Sequence, residues 1–131
     1  MPVVGYAPGA YDMFHIGHLN ILRRAARECD RLVAGVVTDE VVQLAKAHTP
    51  VIPFEERLEI VRSVRYVDEA VPDYYTDKFD MWQHLGFDIL FKGDDWRGTE
   101  RGERLEARLA TVGARVVYFP YTMHTSSTAL R

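Results

Sequence analysis

The chain has 131 residues, 47% hydrophobic and 27% charged, a balance typical of a single domain with one core, here taken as 1–131. The net charge of -3, with interspersed signs, argues against nucleic acid as the main partner. No window approaches the roughly 18 apolar residues of a membrane span, and no signal-peptide pattern is present, so we expect a cytoplasmic protein without a membrane partner. Cys29 is the only cysteine, which excludes an intrachain disulfide.

The first elements alternate between strands and helices. An apolar run, Val3–Ala7, ends at a proline and a glycine and predicts a strand. Apolar residues on a helical period predict a helix over Ile16–Glu28. The β-branched run Arg31–Val37 predicts a second strand, and cap residues follow it ahead of a short helix, Glu40–Ala45.

The alternation continues to the end of the chain. Lys46–Pro53 has no period and two prolines, which indicates a loop, and Phe54–Val64 is predicted as a helix. Three more strands and two more helices are predicted: Glu69–Val71, Phe79–Leu85, Asp88–Lys92, Glu100–Thr111 and Arg115–Phe119. Such alternation predicts an α/β fold, a doubly wound, Rossmann-like parallel sheet of five strands with helices on both faces.

The segment Gly9–His18 links the first strand to the first helix and is the best candidate site. Gly9 allows close approach of a ligand to the backbone, and the amides at a helix start attract phosphate. His15 and His18 lie three residues apart on one helical face, so both rings can point at one phosphoryl group and stabilise its charge in the transition state.

Two alternative roles of the histidine pair stay open. A zinc site would need third and fourth ligands, which the scattered remaining histidines and the single cysteine supply poorly. The pair could also simply cap the helix.

Residues 9–18 resemble the signature of the nucleotidyltransferase superfamily, in particular the small cytidylyltransferases, and are similar to glycerol-3-phosphate cytidylyltransferases. The likeness covers nearly the whole chain, because four further motifs recur in similar order and spacing: residues 38–40, 65–69, 92–96 and 126–128. The resemblance implies an enzyme that transfers CMP from CTP to a polyol phosphate such as glycerol 3-phosphate, with release of pyrophosphate. It also implies a Mg2+ ion on the triphosphate and a homodimer.

Candidate roles follow from the motifs and the resemblance together. The resemblance implies that His15, His18 and Lys46 are catalytic, although Lys46 could be an ordinary surface lysine. The forked donors of Arg57 and Arg65 suit the phosphate of the acceptor, or in the case of Arg65 an ion pair with Asp68. The nucleotide is expected to contact Gly9, Ala10, Tyr11, Gly17, Asp94, Trp96, Tyr121, Ser126, Ser127 and Thr128.

The roles at the nucleotide site have alternatives. Asp94 could bind metal or close a turn, and Trp96 could be ordinary packing. The three hydroxyls at 126–128 could cap a final helix, which we expect to be frayed or lost to truncation since the chain stops three residues later.

The chain departs from the family pattern at Tyr121, where the family has an arginine that is expected to contact phosphate. Tyrosine is uncharged at neutral pH, so a cation is lost unless His124 supplies it. Two alternatives therefore stay open: a nucleotide-binding module with little catalysis, and an adenylyltransferase that uses ATP and acts on a sugar phosphate or flavin mononucleotide.

Overall fold

The computed structural model describes residues 2–120, which form one parallel sheet covered by helices. The five strands are β1 (Val4–Gly9), β2 (Arg31–Val37), β3 (Glu69–Asp73), β4 (Ile89–Gly93) and β5 (Arg115–Phe119). The α-helices are α1 (Ile16–Arg27), α2 (Asp39–Lys46), α3 (Phe54–Arg62), α4 (Lys78–Leu85) and α5 (Glu100–Ala110). A 3-10 turn, Asp94–Trp96, follows β4.

The strand order is β3-β2-β1-β4-β5, and all pairings are parallel. The order reverses at β1, whose neighbours are β2 on one side and β4 on the other. Ligands of open α/β sheets bind beyond the carboxyl ends of the strands at such a reversal. The predicted doubly wound sheet of five strands is therefore confirmed, and it directs attention to the end of β1.

The two faces of the sheet bury separate apolar clusters. One face carries Leu22 and Ala25 of α1 and Val61 of α3 against the sheet. The other face carries Met81 of α4 and Leu105 of α5. Helices on both faces were predicted, and burial of both faces explains the near-continuous apolar runs in β2 and β4.

The predicted elements differ from the observed ones mainly at their ends. β1 extends through Pro8 to Gly9, because both residues keep their register with β2, while the pairing with β4 covers only Gly5 and Tyr6 and so leaves Pro8 without a partner on that side. The helix predicted to reach Val64 ends at Arg62, and β3 runs two residues further, to Asp73. Over residues 2–120, no helix is long and apolar enough to cross a membrane.

Candidate active site

The loop between β1 and α1 has an unusual backbone. Tyr11 and Met13 have φ angles of 52° and 51°, in the left-handed region that residues other than glycine rarely adopt. Burial of the Tyr11 ring and a hydrogen bond of 2.7 Å from its hydroxyl to the Ala7 carbonyl hold this conformation. A Cβ at Gly9 would lie 3.2 Å from the Tyr11 ring, so glycine leaves room for it. Strained backbone of this kind is concentrated at functional sites in proteins.

His15 and His18 cap α1 and lie against each other. His15 is the N-cap residue, and its Nδ1 accepts a hydrogen bond of 3.1 Å from the Gly17 amide. The Nδ1 of His18 accepts from the His15 amide, also at 3.1 Å, and the two rings stack with centroids 4.0 Å apart. The structure therefore confirms that the two histidines cap the helix, one of the alternative roles that the sequence left open.

Capping also fixes the tautomer of both rings. Each Nδ1 accepts from a backbone amide and so cannot hold a proton, which leaves the proton of the neutral ring on Nε2. His15 and His18 therefore each present an Nε2–H donor on the far edge of the ring. Two such donors at the positive end of a helix dipole form an arrangement that attracts an anion.

The two imidazoles are held neutral. Burial, the largest cause, lowers the pKa of His18 together with the charges of His15 and Lys46, while Asp12 acts in the opposite direction, and the resulting pKa is about 4. Burial also lowers the pKa of His15. At neutral pH the pair therefore donates hydrogen bonds as neutral rings, and an approaching phosphate would raise both pKa values.

Asp12 connects this loop to the segment that follows α2. Its carboxylate is buried and accepts hydrogen bonds of 2.9 Å from the amides of both Val51 and Ile52. Lys46 is the last residue of α2, and its charge is among those that lower the pKa of His18. Residues 47–53 form no helix or strand, but the predicted loop was wrong at its first residue, because Lys46 still belongs to α2; its side chain is exposed.

Arg57 lies in α3 but does not face solvent, because its guanidinium is completely buried. It donates to the carbonyls of Ile52 (2.9 Å), Ala10 (2.6 Å) and Val37 (2.8 Å), and it forms an ion pair with Asp39 at 2.6 Å. Four of its five N–H donors are thus taken by protein atoms. This geometry gives no support to the predicted grip on the acceptor's phosphate; Arg57 joins the loop after β1, strand β2, helix α2 and the loop before α3.

Arg65 is exposed in the turn between α3 and β3. It donates to the Tyr66 hydroxyl at 3.0 Å and lies over the same ring. The alternative ion pair with Asp68 is not formed, because that carboxylate accepts instead from the Leu32 amide at 2.7 Å. The guanidinium of Arg65 therefore keeps N–H donors available to a ligand.

The segment after β4 contains Asp94 and Trp96 in the 3-10 turn. The indole of Trp96 packs against the cluster on the α4 and α5 face, with the Lys92 Nζ 4.1 Å and the Arg101 guanidinium carbon 4.4 Å from its ring centroid. Trp96 therefore takes part in packing, the alternative role considered for it, and its contact with the nucleotide stays a prediction. Asp94 is half-buried at the start of the turn.

Four of the predicted nucleotide contacts, Tyr121, Ser126, Ser127 and Thr128, lie outside the described residues, as does His124. Of the predicted contacts that the structure describes, Gly9 ends β1, Ala10 and Tyr11 lie in the loop after it, and Gly17 lies in the first turn of α1. The structure brings these together with His15 and His18 at the carboxyl edge of the sheet.

Two sets of residues in this region were not predicted from the sequence. Asp12 anchors the loop before α3, and its signal, a single aspartate beside an aromatic residue, is weak. A second buried carboxylate, Asp73 at the end of β3, accepts hydrogen bonds from Tyr6 and Lys78. The one hint was Gly35 within an apolar strand, where a Cβ would lie 1.8 Å from the Tyr6 hydroxyl.

The chemistry that the described residues offer is stabilisation of an anion. In residues 2–120 no group of three or more histidine, cysteine, aspartate or glutamate side chains could hold a metal ion, so nothing supports the zinc alternative there. The histidine pair, the helix dipole and Lys46 all favour negative charge at one place beside Gly9.

Comparison with known proteins gives relatives of several activities. Residues 6–131 match the family model described as cytidylyltransferase-like. The chain is 34% identical over 125 residues to glycerol-3-phosphate cytidylyltransferase of Bacillus subtilis, covering 94% of this chain and 90% of that protein. It is 32% identical to FAD synthase of Thermococcus kodakarensis, covering 86% of this chain and 76% of that protein.

A third relative is much longer. Ethanolamine-phosphate cytidylyltransferase of Arabidopsis thaliana is 39% identical over 102 residues, which are 72% of this chain but only 23% of that protein. Among solved structures, a lipopolysaccharide core biosynthesis protein from Thermoplasma volcanium superposes with a TM-score of 0.77 at 22% identity, covering 95% of this chain and all of the other, which supports the fold. From the family match over most of its length, the chain belongs to the cytidylyltransferase-like family of nucleotidyltransferases.

Proposed function

We propose that the protein transfers CMP from CTP to a polyol phosphate such as glycerol 3-phosphate. An oxygen of the acceptor's phosphate attacks the α-phosphorus of CTP, the bond between that phosphorus and the bridging oxygen to the β-phosphate breaks, and pyrophosphate leaves. The observation that carries the proposal is the stacked pair of His15 and His18, two Nε2–H donors fixed at the start of α1. Such preorganised donors stabilise the charge that develops on the transferred phosphoryl group.

Lys46 is assigned to the same step. Its charge lies close enough to lower the pKa of His18, and α2 ends at this residue, so its side chain can approach a triphosphate from the loop side. Arg65, which forms no ion pair with a carboxylate of residues 2–120, is the better of the two arginines for a phosphate contact. Arg57 supports the site indirectly by holding the Ala10 carbonyl.

The nucleotide contacts are assigned to two segments of the described chain. Gly9, Ala10, Tyr11 and Gly17 belong to the segment from the end of β1 to the first turn of α1, where amides and the helix dipole attract phosphates. Asp94 follows β4 at the same edge of the sheet and can accept a hydrogen bond from the amino group of the base. Tyr121 and the hydroxyls at 126–128 complete the assignment on the basis of the sequence motif alone.

Magnesium is proposed to arrive with the nucleotide. Mg2+ retains several waters and is usually bound through substrate phosphates and one or two carboxylates. The Asp12 carboxylate already accepts hydrogen bonds from two backbone amides, which fits an ion that is held mainly by the triphosphate. When bound, the ion would neutralise charge on the triphosphate and on the departing pyrophosphate. A homodimer and a cytoplasmic location belong to the same proposal, by analogy with the family.

An adenylyltransferase that uses ATP is the second candidate, since an FAD synthase is 32% identical over most of the chain. The histidine pair would act in the same way in both reactions, and the base and acceptor pockets would decide between them. A phosphorylated small molecule is the acceptor in either case.

One assay tests both candidates. The full chain is mixed with Mg2+ and either CTP or ATP, together with glycerol 3-phosphate, ethanolamine phosphate, a sugar phosphate or flavin mononucleotide, and pyrophosphate release is measured. We expect the fastest release with CTP and glycerol 3-phosphate, and CDP-glycerol as its product. Faster turnover with ATP and flavin mononucleotide would replace the first candidate by the second, and nucleotide binding with no product from any acceptor would indicate a binding module.

A further inference from the structure

Helix α1 carries a row of arginines on its outward side. The side chains of Asn20, Arg23, Arg24 and Arg27 follow one another at the spacing that places residues on one face of a helix, which is called here the arginine face. Together they line an open hollow of about 360 Å3. The residues that line it are all polar, and three of them are cations, so the hollow concentrates anions from solution.

The three arginines of this face carry uncompensated charge. None of them forms an ion pair with a carboxylate of residues 2–120. Asp30, just beyond the helix, accepts instead from the Val3 amide at 2.6 Å. Glu28 follows Arg24 by four residues, which is the less favourable order for an ion pair on a helix. Like charges three and four residues apart repel each other, so an anion bound between them relieves this repulsion.

Arg23 is held in place by neutral groups. Its guanidinium donates to the side-chain oxygen of Asn20 and to the hydroxyl of Tyr66. These two acceptors fix the direction of the guanidinium without neutralising it, and some of its five N–H donors remain for a ligand. The helix dipole favours cations in the last turn, where Arg24 and Arg27 lie, but Arg23 precedes that turn. The dipole therefore does not account for the whole face.

The arginine face is separate from the histidine pair, although both belong to α1. Asn20 and Arg27 follow His18 by two and nine residues, which places them about 200° and 180° around the helix from it at 100° per residue. Arg27 also lies about 14 Å further along the helix axis, at 1.5 Å per residue. Leu22 and Ala25 belong to the side of α1 that packs against the sheet. A ligand on the arginine face therefore does not occupy the phosphate site at the start of the helix.

Three guanidiniums within two helical turns suit a ligand with several negative charges in a row. Arg23 and Arg27 are four residues apart, about 6 Å along the axis, so neighbouring groups of a phosphate chain can each meet a guanidinium fork. No exposed large apolar side chain of residues 2–120 belongs to this face, which therefore lacks the anchors that insert into a lipid surface.

We infer that the arginine face of α1 is a second anion site, which binds the di- or triphosphate group of a nucleotide or of a free polyphosphate. The negative end of the helix dipole opposes an anion only in the last turn, and more weakly than charge-assisted hydrogen bonds favour it. The inference goes beyond the proposed transfer reaction and does not depend on it.

Amide chemical shifts of the 15N-labelled full chain, titrated with inorganic tripolyphosphate without Mg2+, test the site. We expect the amides of residues 20–27 to shift saturably, on a binding curve separate from that of residues 9–18. CTP should shift the same amides, whereas cytidine, which lacks phosphates, should not. Tighter binding of CTP than of tripolyphosphate would assign the site to nucleotides, and equal or weaker binding of CTP would assign it to the free phosphate chain.

Three results of this titration would overturn the inference. One is the absence of a saturable shift over residues 20–27. Another is a shift of these residues that follows the curve of residues 9–18, because it would report a change transmitted along the helix. The third is an equal response to cytidine.

The double variant Arg24→Gln with Arg27→Gln removes two cations and keeps polar side chains of good helix propensity. We expect the Kd read from residues 20–27 to rise at least about 10-fold, through the loss of charge-assisted hydrogen bonds, while the curve of residues 9–18 stays within about twofold of wild type. Arg104→Gln with Arg108→Gln is the matched control, because both arginines are exposed, lie on one helix and are already paired with carboxylates.

The control should change neither curve, although it alters the net charge by the same amount. An equal Kd over residues 20–27 in the wild type and in Arg24→Gln with Arg27→Gln would contradict the site. An equal rise in both double variants would show that net charge alone attracts the anion, and would contradict it as well. Because turnover is not measured, the outcome is independent of whether the proposed transfer reaction occurs.

Discussion

The loop before α1 and the turn after β4 both follow strands at the carboxyl edge of the sheet, yet they are built differently. Residues 9–18 are fixed by hydrogen bonds to backbone atoms, including those of the two histidine rings and of Arg57. In residues 92–96, the Trp96 ring is held by cations from its own segment and from α5. The first region is therefore held by hydrogen bonds to backbone atoms, both from the histidines within it and from Arg57 of α3, whereas the second is held by contacts between cations and a ring.

Arg57→Met tests most strongly whether distant hydrogen bonds hold the first region. It would strip the carbonyls of Ala10, Val37 and Ile52 of a donor, and we expect the free energy of unfolding to fall by about 3 to 4 kcal/mol. Urea denaturation measures this loss. Arg62→Met, an exposed position of the same helix, should change the value by less than about 0.5 kcal/mol.

Arg57→Lys sharpens the same test. A single ammonium cannot span four separate acceptors, so we expect it to recover little of the stability. Recovery to the wild-type value would show that charge alone matters and that the guanidinium geometry does not.

Substitution of His18 is expected to have the second-largest effect. His18→Asn keeps an acceptor near the position of Nδ1, which preserves the cap, but removes the outer Nε2–H donor. We expect kcat to fall at least ~100-fold with little change in nucleotide binding or in the thermal midpoint. Steady-state kinetics with CTP and glycerol 3-phosphate measure the effect.

His18→Gln is the matched variant, because its amide can reach the position of the outer donor while losing the cap. It should be less stable than His18→Asn but more active. The reverse order would mean that His18 contributes to the site only as a cap.

Trp96→Leu is expected to have the smallest effect. The indole packs beneath cations, so its replacement should change the KM for CTP by less than about threefold. A rise of tenfold or more in the CTP KM, measured at saturating acceptor, would instead support stacking of the base on this ring.

The sequence predicted the sheet and the histidine pair because both depend on local patterns. Apolar runs that alternate with helical patterns predict the strands, and the three-residue spacing at a helix start predicts that the two rings lie side by side. The role of Arg57 could not be predicted, since burial of a guanidinium depends on which carbonyls the loop after β1, strand β2 and the loop before α3 bring together. The network of Tyr6, Asp73 and Lys78 joins three separate elements and left no local pattern.

The central claim is that His15 and His18 are neutral rings whose Nε2–H groups face a phosphate, and NMR of the 15N-labelled imidazoles tests it most directly. At pH 7 we predict that both rings carry their proton on Nε2, and that His18 titrates near pH 4 in the free protein. Because the folded pKa lies below the ordinary value of 6.5, the stability linked to this ring is present above pH 6.5 and is lost as the pH falls toward 4. Adding CTP with Mg2+ should raise the midpoint of His18 and shift its Nε2 resonance, whereas a proton on Nδ1, or a titration that CTP leaves unchanged, would contradict the claim.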